Sequence, residues 1–332
     1  TKAWTAVHRK HHARVETAED PHSPQVLGLK TVLSTGAELY RTSARNQETL
    51  DKYGKGTPDD WLERNVYRHD RRGIALMFTI NVLLLGPIGI TVFAIQMLWI
   101  PLLAAGVVNG IGHYWGYRNF ECNDASTNIS PWGILIGGEE LHNNHHTYPS
   151  SAKLSTKWWE FDIGWLYIKA LSLVGLATVK RLPPVEHRDG RNSEIDLDTV
   201  AAVINNRFQV MAHYAKTVVA PLVDAERARA ARDHSYLYRR AKSLLCGSDA
   251  VLDDNARNAR EQLCEHNQVL GLIYEKRLEL QSLWENRQAT TEELRQALLD
   301  WCKRAEESGI EALREFALRL PTYTNGPLAV AT

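Results

Sequence analysis

The sequence predicts an all-α fold in two parts: an integral membrane helical bundle carrying a histidine-rich metal site on its cytosolic side, then a soluble helical module. Three observations carry this expectation. Residues 73–112, GIALMFTINVLLLGPIGITVFAIQMLWIPLLAAGVVNGIG, contain no charged side chain. Two His-x-x-His-His pentads, HRKHH at 8–12 and HNNHH at 142–146, flank that stretch and take six of the chain's thirteen histidines. Residues 195–320 are rich in Ala, Leu, Glu, Arg and Gln and poor in Pro and Gly, as long packed helices are.

A chain of 332 residues is long enough for two modules. A formal net charge of zero provides no global field for nucleic acid, and no nucleic-acid partner is expected. The four cysteines are widely spaced with no Cys-x-x-Cys pair, which suits reduced thiols better than a disulfide framework or a zinc ribbon. The first residue is Thr, seven positions before the first histidine, and no signal peptide is visible. The chain is therefore expected to be an N-terminally truncated fragment.

In chain order, residues 1–184 are read as the membrane domain. Its polar first part ends in Arg64, Arg68, Arg71 and Arg72. One membrane pass needs about 20 apolar residues, so 73–112 has the length of two. Gly86-Pro87 and Gly89 provide the reversal, giving limbs of 73–86 and 88–112. A hairpin returns the chain to its starting side, so both pentads face one compartment. The arginines before residue 73 make that side the cytoplasm of an inner, cytoplasmic membrane. Residues 158–181 are apolar but carry Glu160, Asp162 and Lys169, which fits a helix lying in the membrane interface rather than crossing. Pro183-Pro184 leads into a linker, 185–194. In the helical region 195–320, Leu263, His266, Leu270, Ile273, Leu280 and Trp284 form an amphipathic seam broken at Arg277. Residues 321–332 read as a loose tail.

On a helix, positions i, i+3 and i+4 share an arc of roughly 100°. His8, His11 and His12 thus project from one face, as do His142, His145 and His146. Neutral imidazole ligates Fe, Zn, Cu and Ni through one ring nitrogen. A catalytic zinc keeps about three protein ligands, so six histidines fit two metals or a shared dinuclear centre. His113 closes the apolar limb, where an ionisable group beside a bilayer is a functional candidate, and Asn109 lies one turn earlier on the same face.

The motifs HRKHH, EDPH (19–22), NGIGHYWGYRNFECNDASTNISPWGIL and EELHNNHHTYP, in this order and spacing, resemble the membrane-bound acyl-CoA and acyl-lipid fatty acid desaturases. The stearoyl-CoA Δ9 type and its bacterial branch are nearest, and some bacterial members carry a helical C-terminal extension. The resemblance covers roughly 1–184. It implies a non-haem di-iron centre with His8, His11, His12, His142, His145 and His146 as iron ligands, His113 as the single ligand between the boxes and Asn109 holding a water on iron. His22 is implied only as a neighbour of the ligands or of substrate, and Glu139 and Glu140 as carboxylates orienting ring N–H groups. The implied reaction is O₂-dependent desaturation of a saturated acyl chain, two electrons arriving from a ferredoxin, a rubredoxin-like or a cytochrome b5-like protein with an NAD(P)H reductase. Arg41, Arg45, Lys153 and Lys157 could meet a CoA phosphate or lipid headgroup, although ordinary solvated surface is the better reading.

Two departures stand out. The family's earliest box, His-x-x-x-x-His, is absent and is expected upstream with another pair of spans; without it the fragment would be short of ligands and of activity. Animal relatives carry Trp where this chain has Gly106, so Gly106 is expected either to line a differently shaped acyl path or, equally, to be a close-packing contact between helices. Competing expectations are a hydroxylase or alkane monooxygenase with similar histidines, a zinc metallohydrolase, and a non-catalytic interaction protein whose business is 195–320.

Overall fold

The computed structural model describes residues 1–325 except 191, 193, 230–237, 250 and 287. It separates into two compact units, one of residues 1–118 and 124–178, the other of 119–123 and 179–332. The expected boundary near 184 therefore falls slightly earlier, and the expected linker belongs to the second unit.

The first unit begins with α1 (Lys2–Arg14), which carries the first pentad. After the EDPH turn come α2 (Pro24–Leu27), α3 (Leu29–Ala44) and α4 (Gln47–Tyr53). Ser23 caps α2 and Asn46 caps α4, each side chain accepting a backbone N–H of the first turn. The apolar hairpin is α5 (Asp70–Leu85) and α6 (Ile88–Ile111). Gly86 stops α5 at φ +58, a left-handed conformation that glycine adopts without strain. At Gly89 a β-carbon would lie 2.1 Å from the Asn81 carbonyl oxygen, so only glycine permits the limbs this approach. Asn81 and Gln96 then hydrogen-bond across the hairpin at 2.9 Å, satisfying two polar groups between apolar limbs.

The first limb is the shorter of the two, as its expected range of 73–86 implies. Among the described residues one helix, Ile88–Ile111, is long and apolar enough to cross a membrane by length and composition. α5 has 16 residues, about 24 Å at 1.5 Å each, against a hydrocarbon core of about 30 Å. Its first turn also includes Arg71 and Arg72.

α6 does not stay regular. Pro101 has no N–H to give the preceding turn, and over Pro101–Val108 the helix widens to π geometry, with Gly112 N–H reaching back five residues to Val107 O at 3.2 Å. This wide turn packs against α3, whose Thr35 leaves helical geometry. Beyond it, a two-residue parallel ladder pairs β1 (Trp132–Gly133) with β2 (Phe161–Asp162). Between those strands lies α7 (His142–Thr147), the second pentad. The stretch expected to be one interfacial helix over 158–181 is shorter: Asp162 caps α8 (Ile163–Leu173), whose residues are all at least partly exposed. Glu160 and Asp162 are instead buried before it.

Among its described residues the regular structure of the second unit is helical but for one short ladder. Its core gathers Tyr214, Trp301, Phe316 and a set of leucines. The polar ends of the largest rings are satisfied: Trp301 Nε1–H donates to Lys276 O at 2.9 Å and the Tyr214 hydroxyl to Ile273 O at 2.7 Å. The expected single seam over 263–284 is two helices. Asn267 ends α13 (Asp254–His266) and caps α14 (Gln268–Glu285), while Arg277 is no break but a buried residue donating to Cys246 O. α9 to α12 are Leu197–Asn205, Arg207–Tyr214, Ala220–Arg229 and Ala241–Cys246; α15 and α16 are Thr291–Glu307 and Glu311–Ala317. The tail expected to be loose begins in order: β4 (Tyr323–Thr324) pairs antiparallel with β3 (His187–Arg188) inside the former linker, and Tyr323 is buried. Residues 326–332 of that tail lie outside the described ones.

Candidate metal centre

α1 and α7 lie so that their histidine faces meet, and each pentad is divided between two groups. His11, His142 and His146 join His113 in one group, and His8 and His12 join His145 in another; within each group the ligand nitrogens lie within 4.8 Å of one another. In the first, His113 Nε2 is 3.1 Å from His11 Nε2, 3.1 Å from His142 Nε2 and 3.3 Å from His146 Nε2. In the second, His145 Nε2 is 3.0 Å from His8 Nε2 and 2.9 Å from His12 Nε2. The three helical turns that bring these rings together come from 137 residues of separation, and all four histidines of the first group are buried.

The local sequence explains why the rings point inward. The wide turn of α6 re-aims Asn109–His113 toward the pentads. Gly112 then lets the His142 ring approach, since a β-carbon there would lie 2.9 Å from His142 Cδ2. The asparagines of HNNHH hold α7 from its far side: Asn144 Nδ2–H donates to Glu160 Oε2 at 2.9 Å, and Asn144 N–H to Asn128 Oδ1 at 3.2 Å. Glu160 also accepts from the Tyr117 hydroxyl at 2.8 Å and from Thr156 N–H at 2.8 Å.

Three carboxylates grip the outer nitrogens. His11 Nδ1 meets Asp20 at 2.9 Å, His113 Nδ1 meets Glu16 at 3.0 Å and His146 Nδ1 meets Asp124 at 3.0 Å. Such pairing places the proton on Nδ1 and leaves Nε2 with a lone pair. Burial, then the neighbouring rings, pushes His11, His12 and His146 well below the ordinary imidazole range. His8 is pushed down to about 4 by burial and by His145. His142 also falls to about 4, burial outweighing the support of Glu139. These rings are neutral at pH 7. With their Nδ1 protons committed to carboxylates, His11 and His146 turn Nε2 lone pairs toward His113 Nε2 at 3.1 and 3.3 Å, an arrangement that a shared cation would make favourable. Imidazoles bound to one first-row ion by bonds of about 2.0–2.1 Å have nitrogens at roughly this spacing. The donor set fits a pair of cations with a preference for imidazole, iron among them.

The remaining expected residues fall as follows. His22 packs tilted against His11 with ring centroids 4.4 Å apart, buried, its backbone N–H donating to Asp20. Asn109 donates to Ala105 O at 3.3 Å and lines, with His8, His22 and Glu139, a cavity of about 90 Å³ whose other walls are largely apolar. Glu139 is 3.5 Å from His142 Nδ1. Glu140 is turned away from the rings and accepts the backbone N–H groups of Leu135 and Ile136, which closes the loop before α7. Of the two readings of Gly106 the geometry favours packing: it lies against α3, where a β-carbon would be 3.1 Å from Leu33 O, and the cavity wall is formed by Ala104, Ala105 and Val108. Sequence reasoning missed Glu16, Asp20, Asp124, Gly112 and Glu160. Glu16 and Asp20 did carry a signal, being carboxylates four and eight residues past the first pentad. Asp124 and Glu160 carried none.

Compared with known proteins, residues 1–178 match the family model described as fatty acid desaturase, more than half of the chain. The chain belongs to the fatty acid desaturase family. Among curated relatives of this chain, Delta-9 acyl-lipid desaturase 1 of Arabidopsis thaliana is 31% identical over 192 residues, 56% of this chain and 60% of the relative. The sn-1 stearoyl-lipid 9-desaturase of Synechocystis sp. is 32% identical, covering 54% of this chain and 56% of its own. The sn-2 palmitoyl-lipid 9-desaturase of Nostoc sp. is 30% identical, with 52% and 61% covered. The chain thus spans somewhat over half the length of the curated relatives it matches. Residues 199–331, in the second unit of the chain, match a family model described as transposase. No solved structure matches.

Proposed function

We propose that the chain carries the metal site of an O₂-dependent fatty acyl desaturase acting on an acyl-lipid or acyl-CoA chain. The observation that carries this reading is the convergence of seven imidazole Nε2 atoms in two groups, inside a domain of the desaturase family. His11, His113, His142 and His146 would hold one iron, and His8, His12 and His145 the other, with Asn109 beside them for a metal-bound water. When bound, the iron pair supplies the oxidising chemistry that removes hydrogen from two adjacent methylenes, with O₂ reduced to water by electrons from an external protein donor.

The residues of the chain prepare that chemistry. Asp20, Glu16 and Asp124 hold the Nδ1 protons and fix ring orientation. Burial of the four-histidine group excludes bulk water. The apolar walls Trp4, Val7, Ala104, Ala105 and Val108, with Tyr40, run up to His8 and suit an alkyl chain. An apolar substrate would explain why α6 is long and uncharged, and Arg64, Arg68, Arg71 and Arg72 at the start of the hairpin support a cytoplasmic side for the histidines. The names of the Synechocystis and Nostoc relatives point to a double bond at position 9 of a lipid-linked chain.

The test is gas chromatography of fatty acids from cells expressing the encoding gene, beside iron analysis of the purified protein. Monounsaturated product with about two irons per chain, and neither in His145→Ala, is the expected result. Hydroxylated product in place of alkene, or wild-type unsaturation in His145→Ala, would overturn it.

A further inference from the structure

Glu16 has an unusual backbone and three carboxylate contacts. Among the described residues it is the one non-glycine at positive φ, +60°. That conformation is strained for a glutamate and is ordinarily given to Gly or Asn. Its carboxylate, 9% exposed, is fully engaged: Oε1 accepts from His113 Nδ1 at 3.0 Å and from Ala125 N–H at 3.2 Å, and Oε2 from the Ser23 hydroxyl at 2.7 Å. Its own N–H donates to Asp20 Oδ2 at 3.0 Å, the carboxylate whose other oxygen holds His11. Ala125 follows Asp124, which holds His146.

Resting on the two-metal reading above, we propose that Glu16 is a positioning residue that ties together three of the four histidines of the first group. It reaches His113 directly, His11 through Asp20, and His146 through the Asp124-Ala125 backbone. These contacts do not extend to His8, His12 or His145. A residue needed only for the turn would be Gly or Asn; a strained Glu is retained where its carboxylate has work at a distance, here 97 residues along the chain at His113. The consequence is selective: loss of the carboxylate weakens one metal site and spares the other.

The test uses the full chain purified in detergent, titrated with Co²⁺ against a chelator, with circular dichroism and thermal melting as folding controls. Wild type is expected to bind two Co²⁺. Glu16→Gly relieves the backbone, so melting should not fall, yet one of the two affinities should drop about 10–100-fold, the range for losing a carboxylate behind a ligating histidine. Glu16→Gln, which keeps an acceptor oxygen without the charge, should lose less. With the three-histidine site broken by His12→Ala, adding Glu16→Gly should weaken the single remaining site. Two unchanged affinities in Glu16→Gly, or in Glu16→Gln should the glycine variant misfold, would overturn the proposal while leaving the metal reading intact. A wild type that binds no Co²⁺ would overturn both.

Discussion

At Gly112 a hydrogen atom is the largest substituent the site tolerates. The His142 ring stands where a β-carbon would reach, with Cδ2 at 2.9 Å, and the Val108 carbonyl presses at 2.2 Å. The ring cannot yield without leaving the other three nitrogens, and the carbonyl is backbone. Gly112→Ala is therefore expected to cost about 1–3 kcal/mol through overpacking and to lower bound iron with it. Melting temperature and metal analysis of the variant check this; full metal content would show that His142 has slack. Asp124 tests the opposite case, a carboxylate rather than a space. Asp124→Asn keeps the volume and frees His146 Nδ1 from its charge partner. Iron affinity should fall by about 10–100-fold while the fold persists, as measured by chelator competition.

At the scale of elements, α6 shows how one irregularity serves two ends. Pro101 opens a wide turn; that turn presses its small residues onto α3 and swings the following residues toward the pentads. Gly36 and Gly106 make the approach possible, for a β-carbon at Gly36 would sit 2.4 Å from Ala105 O. Gly106→Trp is consequently expected to lower protein level and iron together, read by immunoblot and metal analysis, rather than to shift double-bond position. A changed product profile at normal protein level would restore the acyl-path reading of this face. In the second unit, Asn267 has two uses: Oδ1 caps α14 through Leu270 N–H at 3.0 Å, and Nδ2 donates to Glu226 at 2.7 Å. Asn267→Ala should cost about 0.5–2 kcal/mol from the cap alone, visible in denaturant unfolding.

At the scale of the whole molecule, the two units are stabilised by different physics. The first has few large buried aliphatics and a polar centre of facing imidazoles. Its stability should depend on metal, so chelation is expected to lower the melting transition of that unit, and added Co²⁺ to raise it, by mass action. The second rests on a conventional core, in which Trp301 and Tyr214 are fully enclosed. Trp301→Ala should cost about 3–5 kcal/mol by leaving a cavity, measured by denaturant unfolding followed by near-ultraviolet circular dichroism, with metal affinity as the readout that should stay constant.

Much of this was legible along the chain because it is periodic or local. Absence of charge over 73–112 marks an apolar hairpin whatever it packs against, since solvation of each side chain is a property of that side chain. The 3-4 spacing of the pentads places three rings on one helical face by the geometry of the helix alone, and Gly86-Pro87 marks a turn by its dihedrals. Fold class, the seven histidines and the family resemblance followed from such signals. Other features needed the folded chain, because they depend on pairs of distant residues. The partition of each pentad between two groups follows from how α1 crosses α7. Asp124 becomes His146's partner, and Glu16 His113's, through contacts that no spacing rule encodes. Gly106 looks equally suited to a substrate path or to a helix contact until α3 is placed beside it. The sequence thus determined which side chains could bind metal; tertiary packing decided which of them face one another in one group, because grouping is set by distances between atoms that the chain brings together only when folded.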